Sequence, residues 1–199
     1  MNNPNSGLDP FFFSEMMAHP ALFAHPKPQK VLIIGNPAGI LQEVLKHPGI
    51  EAVYCVGEQQ IAINDPRVSC HAELPTAGQD IIIQTHIASD SHQAYFNLLN
   101  PDGILVQPCP NPLVQPSTLK TVYQQLRQVG FNDWQMMNFP QAGAPADWLA
   151  IVMSTKCPLF KRIREKDIFN KPFSTFYYNF EIHQASLALP EFARAALVE

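Results

Sequence analysis

The stretch that decides the fold covers residues 30–45, KVLIIGNPAGILQEVL. Residues 31–34 are consecutive apolar side chains, which predicts a strand buried on both faces, because a half-buried strand would alternate apolar and polar residues. Residues 40–45 place their apolar side chains on one face of a helix. The glycine turn over 35–39 joins the two. A strand, a short turn and a helix in this order predict the first unit of a parallel sheet.

The same alternation continues along the chain. The pattern predicts further strands over 52–56, 68–71, 80–83 and 104–106, and helices over 89–99 and 117–129. A turn over 100–103, with the sequence NPDG, is expected to separate the first of these helices from the strand that follows it. Ser117 is expected to be the N-cap of the second helix.

Both ends of this core carry further elements. Residues 134–139 and 148–154 predict an antiparallel pair that closes one edge of the sheet. An apolar helix over 11–23, which Pro20 is expected to kink or end, precedes the first strand. Residues 1–9 are expected to form a flexible arm. The prediction is therefore an α/β protein with a Rossmann-like, methyltransferase-type, doubly wound and mainly parallel sheet with an antiparallel edge.

Composition excludes several classes of protein. The chain has 199 residues and a formal net charge of −4, which fits one domain and argues against a nucleic-acid surface. No apolar run reaches the ~18 residues of a membrane span, and the opening MNNPN lacks the basic start of a secretory signal. The four cysteines are far apart, without the spacing of a zinc or redox motif. We expect a cytoplasmic protein that binds neither nucleic acid nor membrane.

Ligands of such sheets bind beyond the carboxyl ends of the strands, which here means near Gly35, Gly57 and Gln84. A short glycine turn is also explained by close packing of strand and helix, so both interpretations of Gly35 and Gly39 stay open. No metal site is predicted, because the candidate histidines do not follow the usual ligand spacing. These histidines are His71, His86 and His92.

Several stretches together point to one family. They are EMMAHP at 15–20, HPKPQKVLIIG at 25–35, LQEVLKHP at 41–48, DPRV at 65–68, and YYN, EIH and ALPEFA at 177–179, 181–183 and 188–193. This set closely resembles the polyamine aminopropyltransferases, the spermidine synthases. The likeness extends, with gaps, from about Asp9 to the C-terminus.

The resemblance implies an enzyme that moves an aminopropyl group from decarboxylated S-adenosylmethionine to putrescine. It implies a methyltransferase-like Rossmann domain over 10–199, without the small β domain that precedes it in the family. The implied nucleoside-binding positions are Gly35, Asn36 and Gly39 in the glycine loop and Glu58 after the second strand. A homo-oligomer or a protein partner is expected by analogy with the family's dimers.

The donor-binding positions depart from the family pattern. The family's loop is Gly-Gly-Gly-Asp-Gly, whereas here it is one residue shorter and has Ala38 at the aspartate's place. Pro37 removes a backbone N–H from the loop. Gly57 stands where the family has the glutamate that holds the ribose, and Glu58 follows it.

The diamine-binding positions depart as well. The family's first loop aspartate is Thr85 here, and the rest of that loop is missing, so that Asp90 is the one carboxylate between Ile81 and Pro101. A protonated alkyl amine has a pKa near ~10 and attacks only after losing its proton, which is the task of the family's carboxylates. The family's Tyr-His or Tyr-Gln pair in the first helix corresponds to residues 13–14, Phe-Ser, and a later tyrosine to Ala142. No catalytic residue is therefore assigned.

Three functions stay open. The first is a non-catalytic relative of the spermidine synthases. The second is an active aminopropyltransferase with a rearranged site that uses Asp90 and Glu58. The third is a module that binds methylthioadenosine-like nucleosides without catalysis, and no resident cofactor is assigned in any of the three.

Overall fold

The structure is a computed structural model, and it describes residues 9–57, 63–76, 78–87, 91–113, 115–140, 148–157 and 163–198. Residues 1–8, most of the expected flexible arm, lie outside this part, and Asp9 already belongs to the first helix. Among the described residues, no helix is both long and apolar enough to cross a membrane.

A seven-stranded sheet forms the centre of the molecule, in the order β3-β2-β1-β4-β5-β7-β6. The strands from β1 to β5 pair in parallel, and β7 runs antiparallel to both β5 and β6. The strands are β1 (Lys30–Ile34), β2 (Ala52–Val56), β3 (Val68–His71), β4 (Gln79–Gln84), β5 (Leu99–Cys109), β6 (Asp133–Pro140) and β7 (Trp148–Thr155). This confirms the predicted parallel sheet with an antiparallel edge.

Helices cover both faces of the sheet, and each face buries its own apolar cluster. On one face Val31 and Ile33 pack in a cluster with the first two helices, whereas on the other Leu32 and Ile82 pack with the third and fourth. Burial on both faces explains why β1 and β4 are continuous apolar runs. The helices are α1 (Asp9–Ala24), α2 (Ile40–Leu45), α3 (His92–Leu98), α4 (Pro116–Val129), α5 (Glu165–Phe169), α6 (Phe180–Ser186) and α7 (Glu191–Val198).

Helix α1 does not end at Pro20, and Ser117 is not the N-cap of α4. Helix α1 continues through Pro20 to Ala24. Met16, whose carbonyl Pro20 cannot bond, is fully buried, as are most residues of this helix, so tertiary packing outweighs the missing hydrogen bond. In α4, Gln115 occupies the N-cap and Pro116 follows at the first helical position, which places Ser117 inside the helix.

The predicted turn over 100–103 is part of β5. Leu99 pairs with Gln79 and Ile104 pairs with Ile81, so the chain between them bulges out of register and then rejoins the ladder. Residues 100–103 therefore form a bulge within β5 and not a separate turn. Helix α3 also begins later than predicted, at His92, and ends at Leu98.

Candidate functional site

The glycine loop joins β1 to α2 at the carboxyl end of the sheet. Gly35 has a φ of 98° and Gly39, the N-cap of α2, a φ of 76°, both in the region that favours glycine. The loop also closes on itself, since the Ala38 N–H donates to Asn36 Oδ1 at 3.0 Å. Gly35, Asn36 and Gly39 therefore belong to one turn at the carboxyl end of β1, and their binding of a nucleoside stays a prediction.

Thr85, the first residue after β4, holds this loop against the sheet. The Asn36 N–H donates to Thr85 Oγ1 at 3.0 Å, and the Thr85 N–H donates to the Ile34 carbonyl at 3.0 Å. A Cβ on Gly35 would lie 2.3 Å from Thr85 Oγ1 and 3.1 Å from His86 Nδ1. A backbone donor of the loop is thus bonded to a side chain of the protein itself.

Gly57 lies under the same loop at the end of β2. The Gly35 N–H donates to the Val56 carbonyl at 2.8 Å, and a Cβ on Gly57 would lie 2.7 Å from the Gly35 carbonyl oxygen. Only glycine fits at Gly57 while the loop keeps this position. The loop therefore occupies space that a side chain at the end of β2 would need.

Helix α1 packs against the loop at Gly39. A Cβ on Gly39 would lie 2.3 Å from Ser14 Oγ, and Ser14 is buried. Ser14, which the family likeness aligns with a substrate-binding residue, thus packs against the glycine loop. The closed loop rests on α1, β2 and β4 together.

Comparison with known proteins decides the family. A family model described as the spermine/spermidine synthase domain matches residues 10–68. A polyamine aminopropyltransferase of Nitrosococcus oceani is 36% identical over 95% of this chain and 78% of its own length, and one of Xylella fastidiosa is 33% identical over 96% and 79%. This chain belongs to the spermine/spermidine synthase family.

Solved structures support the same family and fold. The spermidine synthase of Thermotoga maritima is 26% identical with a TM-score of 0.83, covering 96% of this chain and 75% of that one. A spermidine synthase in complex with the transition state analogue AdoDATO is 25% identical with a TM-score of 0.83, covering 96% and 76%. The alignment with the Nitrosococcus relative spans 227 positions, more than the 199 residues of this chain, so the relative has residues without a counterpart here.

The structure describes some of the predicted site residues of this chain and leaves three of them out. Glu58, Asp90 and Ala142 lie outside the described residues. Of the three candidate histidines, His71 contacts Ser69 Oγ and His92 contacts Gln107 Oε1, each at 2.9 Å, whereas His86 lies beside Gly35. Within the described ranges, no group of three or more potential metal ligands was found.

Sequence reasoning missed a buried amide next to Thr85. Gln84, the last residue of β4, is fully buried, and neither its Oε1 nor its Nε2 bonds to a described residue. Val106 pairs with Ile83, so Gln107 continues β5 beside Gln84, and Gln107 bonds to His92. The signal in the sequence was a glutamine that ends a run of isoleucines. Neutral amides thus stand beside Thr85, the position that the resemblance assigns to an aspartate.

A buried network links the first two helices on the side away from the loop. His19 Nε2 lies 3.0 Å from Glu43 Oε2 and His19 Nδ1 lies 2.9 Å from His47 Nε2, while Lys46 Nζ lies 2.6 Å from Glu43 Oε2. Burial lowers the pKa of His19 more than its carboxylate partner raises it. Burial and then the neighbouring His19 lower the pKa of His47 to about 2. Both histidines are therefore neutral at pH 7.

The carboxylate of this network remains ionised. Burial raises the pKa of Glu43, but the hydrogen bonds from His19 and Lys46 outweigh it and hold the pKa below its usual range. Because His19 is neutral, its contact with Glu43 is a hydrogen bond from a neutral ring to a carboxylate, and the ion pair is formed by Lys46.

Proposed function

We propose that this chain is a non-catalytic member of the spermine/spermidine synthase family. The observation that carries the proposal is the closed glycine loop, whose Asn36 N–H is bonded to Thr85 and whose Gly35 carbonyl lies against Gly57. In this position the loop leaves no room for a side chain at the end of β2. The substitutions at these two strand ends and the position of the loop are therefore coupled.

Charge supports the same conclusion. Aminopropyl transfer needs carboxylates that hold a diamine and accept its proton, because a protonated amine has no lone pair to attack with. At the described strand ends the positions that the resemblance assigns to acids hold Gly57 and Thr85, and the adjacent buried side chain is the neutral Gln84. A diammonium ion would gain little from these groups and would lose its hydration.

The second candidate is an active aminopropyltransferase. It is favoured by the relatives, which are named polyamine aminopropyltransferases at up to 36% identity in the comparisons above. In that case Glu58 and Asp90 would have to supply the carboxylates from new positions.

A turnover assay separates the two candidates. Purified chain is incubated with decarboxylated S-adenosylmethionine and putrescine, and the formation of methylthioadenosine is followed, with the Nitrosococcus oceani relative as positive control. The non-catalytic proposal expects no product above the protein-free rate. Product formation that Asp90→Asn abolishes and Asp102→Asn leaves unchanged would establish the active alternative instead.

A further inference from the structure

A cavity of about 280 Å³ lies at the opposite end of the sheet from the glycine loop. Residues 26–28, which line it, precede β1, and residues 47–49 precede β2, so the cavity sits at the amino ends of these parallel strands. Its size is close to the lower limit of about 300 Å³ that is typical of small-molecule sites, and it suits a ligand with a single ring. Nothing in the proposed function depends on this region.

Three rings form the apolar wall of the cavity. The centroid of the His47 ring lies 4.9 Å from that of Phe23 and 4.8 Å from that of Phe173, and all three residues line the cavity. Pro26, Pro28 and Pro48 extend this surface. Phe23 and His47 are buried, with 3% and 6% of their surface exposed, and together with Phe173 and the prolines they form an apolar lining against which an aromatic ligand can pack.

The buried network fixes one polar group in this wall. Glu43 is ionised, so the neutral His19 donates its Nε2–H to it and must accept at Nδ1. The hydrogen at Nδ1 can then come only from His47 Nε2, which leaves His47 Nδ1 as an unprotonated acceptor. No hydrogen bond joins His47 Nδ1 to a described residue, and His47, whose Nε2 is held by His19, is one of the residues that line the cavity.

Three cationic residues and the acidic Asp167 are among the residues that line the cavity. Arg164 is occupied, because its guanidinium bonds to Asp167 and to the Leu22 carbonyl. Lys27 and Lys171 also line the cavity, and neither ammonium group forms an ion pair with a described residue. Two uncompensated cations at the opening of a cavity attract an anion, even though the whole chain has a net charge of −4.

We propose that this cavity binds a small aromatic carboxylic acid whose ring carries a hydrogen-bond donor. The ring stacks among Phe23, His47 and Phe173, the donor bonds to His47 Nδ1, and the carboxylate faces Lys27 and Lys171. A ligand without the donor leaves a buried acceptor unpaired, and a ligand without the carboxylate gains nothing from the two lysines.

The probe for this proposal is 4-hydroxybenzoate, compared with 4-methoxybenzoate, which lacks the donor, and 4-hydroxybenzamide, which lacks the charge. Titration by calorimetry is expected to give binding of 4-hydroxybenzoate that is about tenfold tighter than that of either analogue, as expected for the loss of one good polar contact. Nitrogen NMR of the histidine rings is expected to show an unprotonated His47 Nδ1 whose signal moves when 4-hydroxybenzoate is added.

Variants test the two polar ends separately. His47→Gln keeps an N–H for His19 but loses the Nδ1 acceptor, and it should remove the preference for the hydroxyl over the methoxy compound. The double variant K27Q/K171Q should weaken 4-hydroxybenzoate several-fold and leave 4-hydroxybenzamide unchanged, whereas Lys120→Gln, on α4, should change neither. Equal binding of the hydroxyl and methoxy compounds to the wild-type chain, or no binding of 4-hydroxybenzoate at about 10 mM, would overturn the proposal.

Discussion

At the scale of single residues, Gly57 and Thr85 explain the closed loop better than the glycines of the loop do. Gly57 leaves the space that the Gly35 carbonyl occupies, and Thr85 provides the hydroxyl that accepts from the Asn36 N–H. The resemblance assigns an acid to both positions. Here Gly57 makes room for the loop and Thr85 bonds to it. The loop is thus held by contacts with residues more than twenty positions away in sequence.

Replacing Gly57 by alanine tests this packing. The new Cβ would lie 2.7 Å from a backbone oxygen, so we expect Gly57→Ala to lower the free energy of unfolding by about 1–3 kcal/mol. Gly49→Ala is the matched control, because a Cβ there meets its nearest atom, the Pro28 carbonyl oxygen, at an ordinary 3.6 Å. Urea denaturation measures both, and equal stabilities of the two variants would show that the loop does not press on Gly57.

The sequence indicated part of this site. The likeness to the spermidine synthases pointed to the loop and to the missing acids at Gly57 and Thr85. It could not reveal that Thr85 bonds to Asn36, because the two residues are 49 positions apart and only the sheet brings them together. Gln84 was missed for a similar reason, since burial of an amide depends on the neighbouring strands.

At the scale of elements, Glu15 ties α1 to the segment before α6. Its fully buried carboxylate accepts from the backbone N–H groups of Phe176, Tyr177 and Tyr178 at 2.7, 2.9 and 2.7 Å. Aromatic rings of α1 and of this segment also pack together, since the ring centroids of Phe11 and Phe176 lie 4.8 Å apart. One carboxylate therefore satisfies three amides of a segment that has no ladder of its own.

Glu15→Gln tests how much these hydrogen bonds contribute to the free energy of unfolding. The amide has one acceptor oxygen and turns an NH₂ group towards backbone donors, so we expect the free energy of unfolding to fall by about 2–4 kcal/mol. The matched control is Glu181→Gln in the exposed first turn of α6, for which we expect a change within about 0.5 kcal/mol. Denaturant titration of both variants gives the comparison, and a stable Glu15→Gln protein would mean that the three amides find other partners.

Elements were predictable where local pattern and tertiary packing agree. Strand β1 and helix α2 were placed correctly because the apolar periodicity of residues 30–45 is also the periodicity of the core. The course of β5 was not, because NPDG has the chemistry of a turn while strand pairing with β4 holds these residues in a bulge. Pro20 is tolerated in α1 by burial, which no local rule reports.

At the scale of the whole molecule, the sheet separates two regions of different character. At the carboxyl ends of the strands the glycine loop is closed over neutral side chains. At the amino ends the cavity beside His47 is open and bordered by lysines. The neutral buried histidines lie on the same face of the sheet as α1. Because protonation of these rings is unfavourable in the folded chain, the stability of this face depends on pH.

The stability of the protein should therefore depend on pH. Burial lowers the pKa of His47 to about 2 and that of His183 to about 4, whereas both titrate near 6.5 in the unfolded chain. Between these values the unfolded chain binds more protons than the folded one. The stability that the neutral rings contribute is complete above about pH 7 and falls below about pH 6.5, by up to ~1.4 kcal/mol per pH unit for each histidine.

Urea denaturation from about pH 4, near the pKa of the folded His183, to about pH 8, above the pKa of an unfolded histidine, measures this slope. His183→Gln should reduce the slope, because it removes one of the titrating rings and leaves an amide near the Tyr178 hydroxyl that contacts His183 Nδ1 at 3.0 Å. His71→Gln, at an exposed position, serves as the control. A slope that His183→Gln leaves unchanged would contradict the assignment of a neutral His183.

The most direct test of the central claim is a calorimetric titration of the purified chain with methylthioadenosine and with decarboxylated S-adenosylmethionine. If Thr85 and Gly57 hold the glycine loop closed, the N–H groups of Gly35, Asn36 and Ala38 stay bonded within the protein, and we expect no binding heat from either nucleoside up to about 1 mM. A dissociation constant in the micromolar range for either compound would contradict the closed site and would return the chain to the active members of its family.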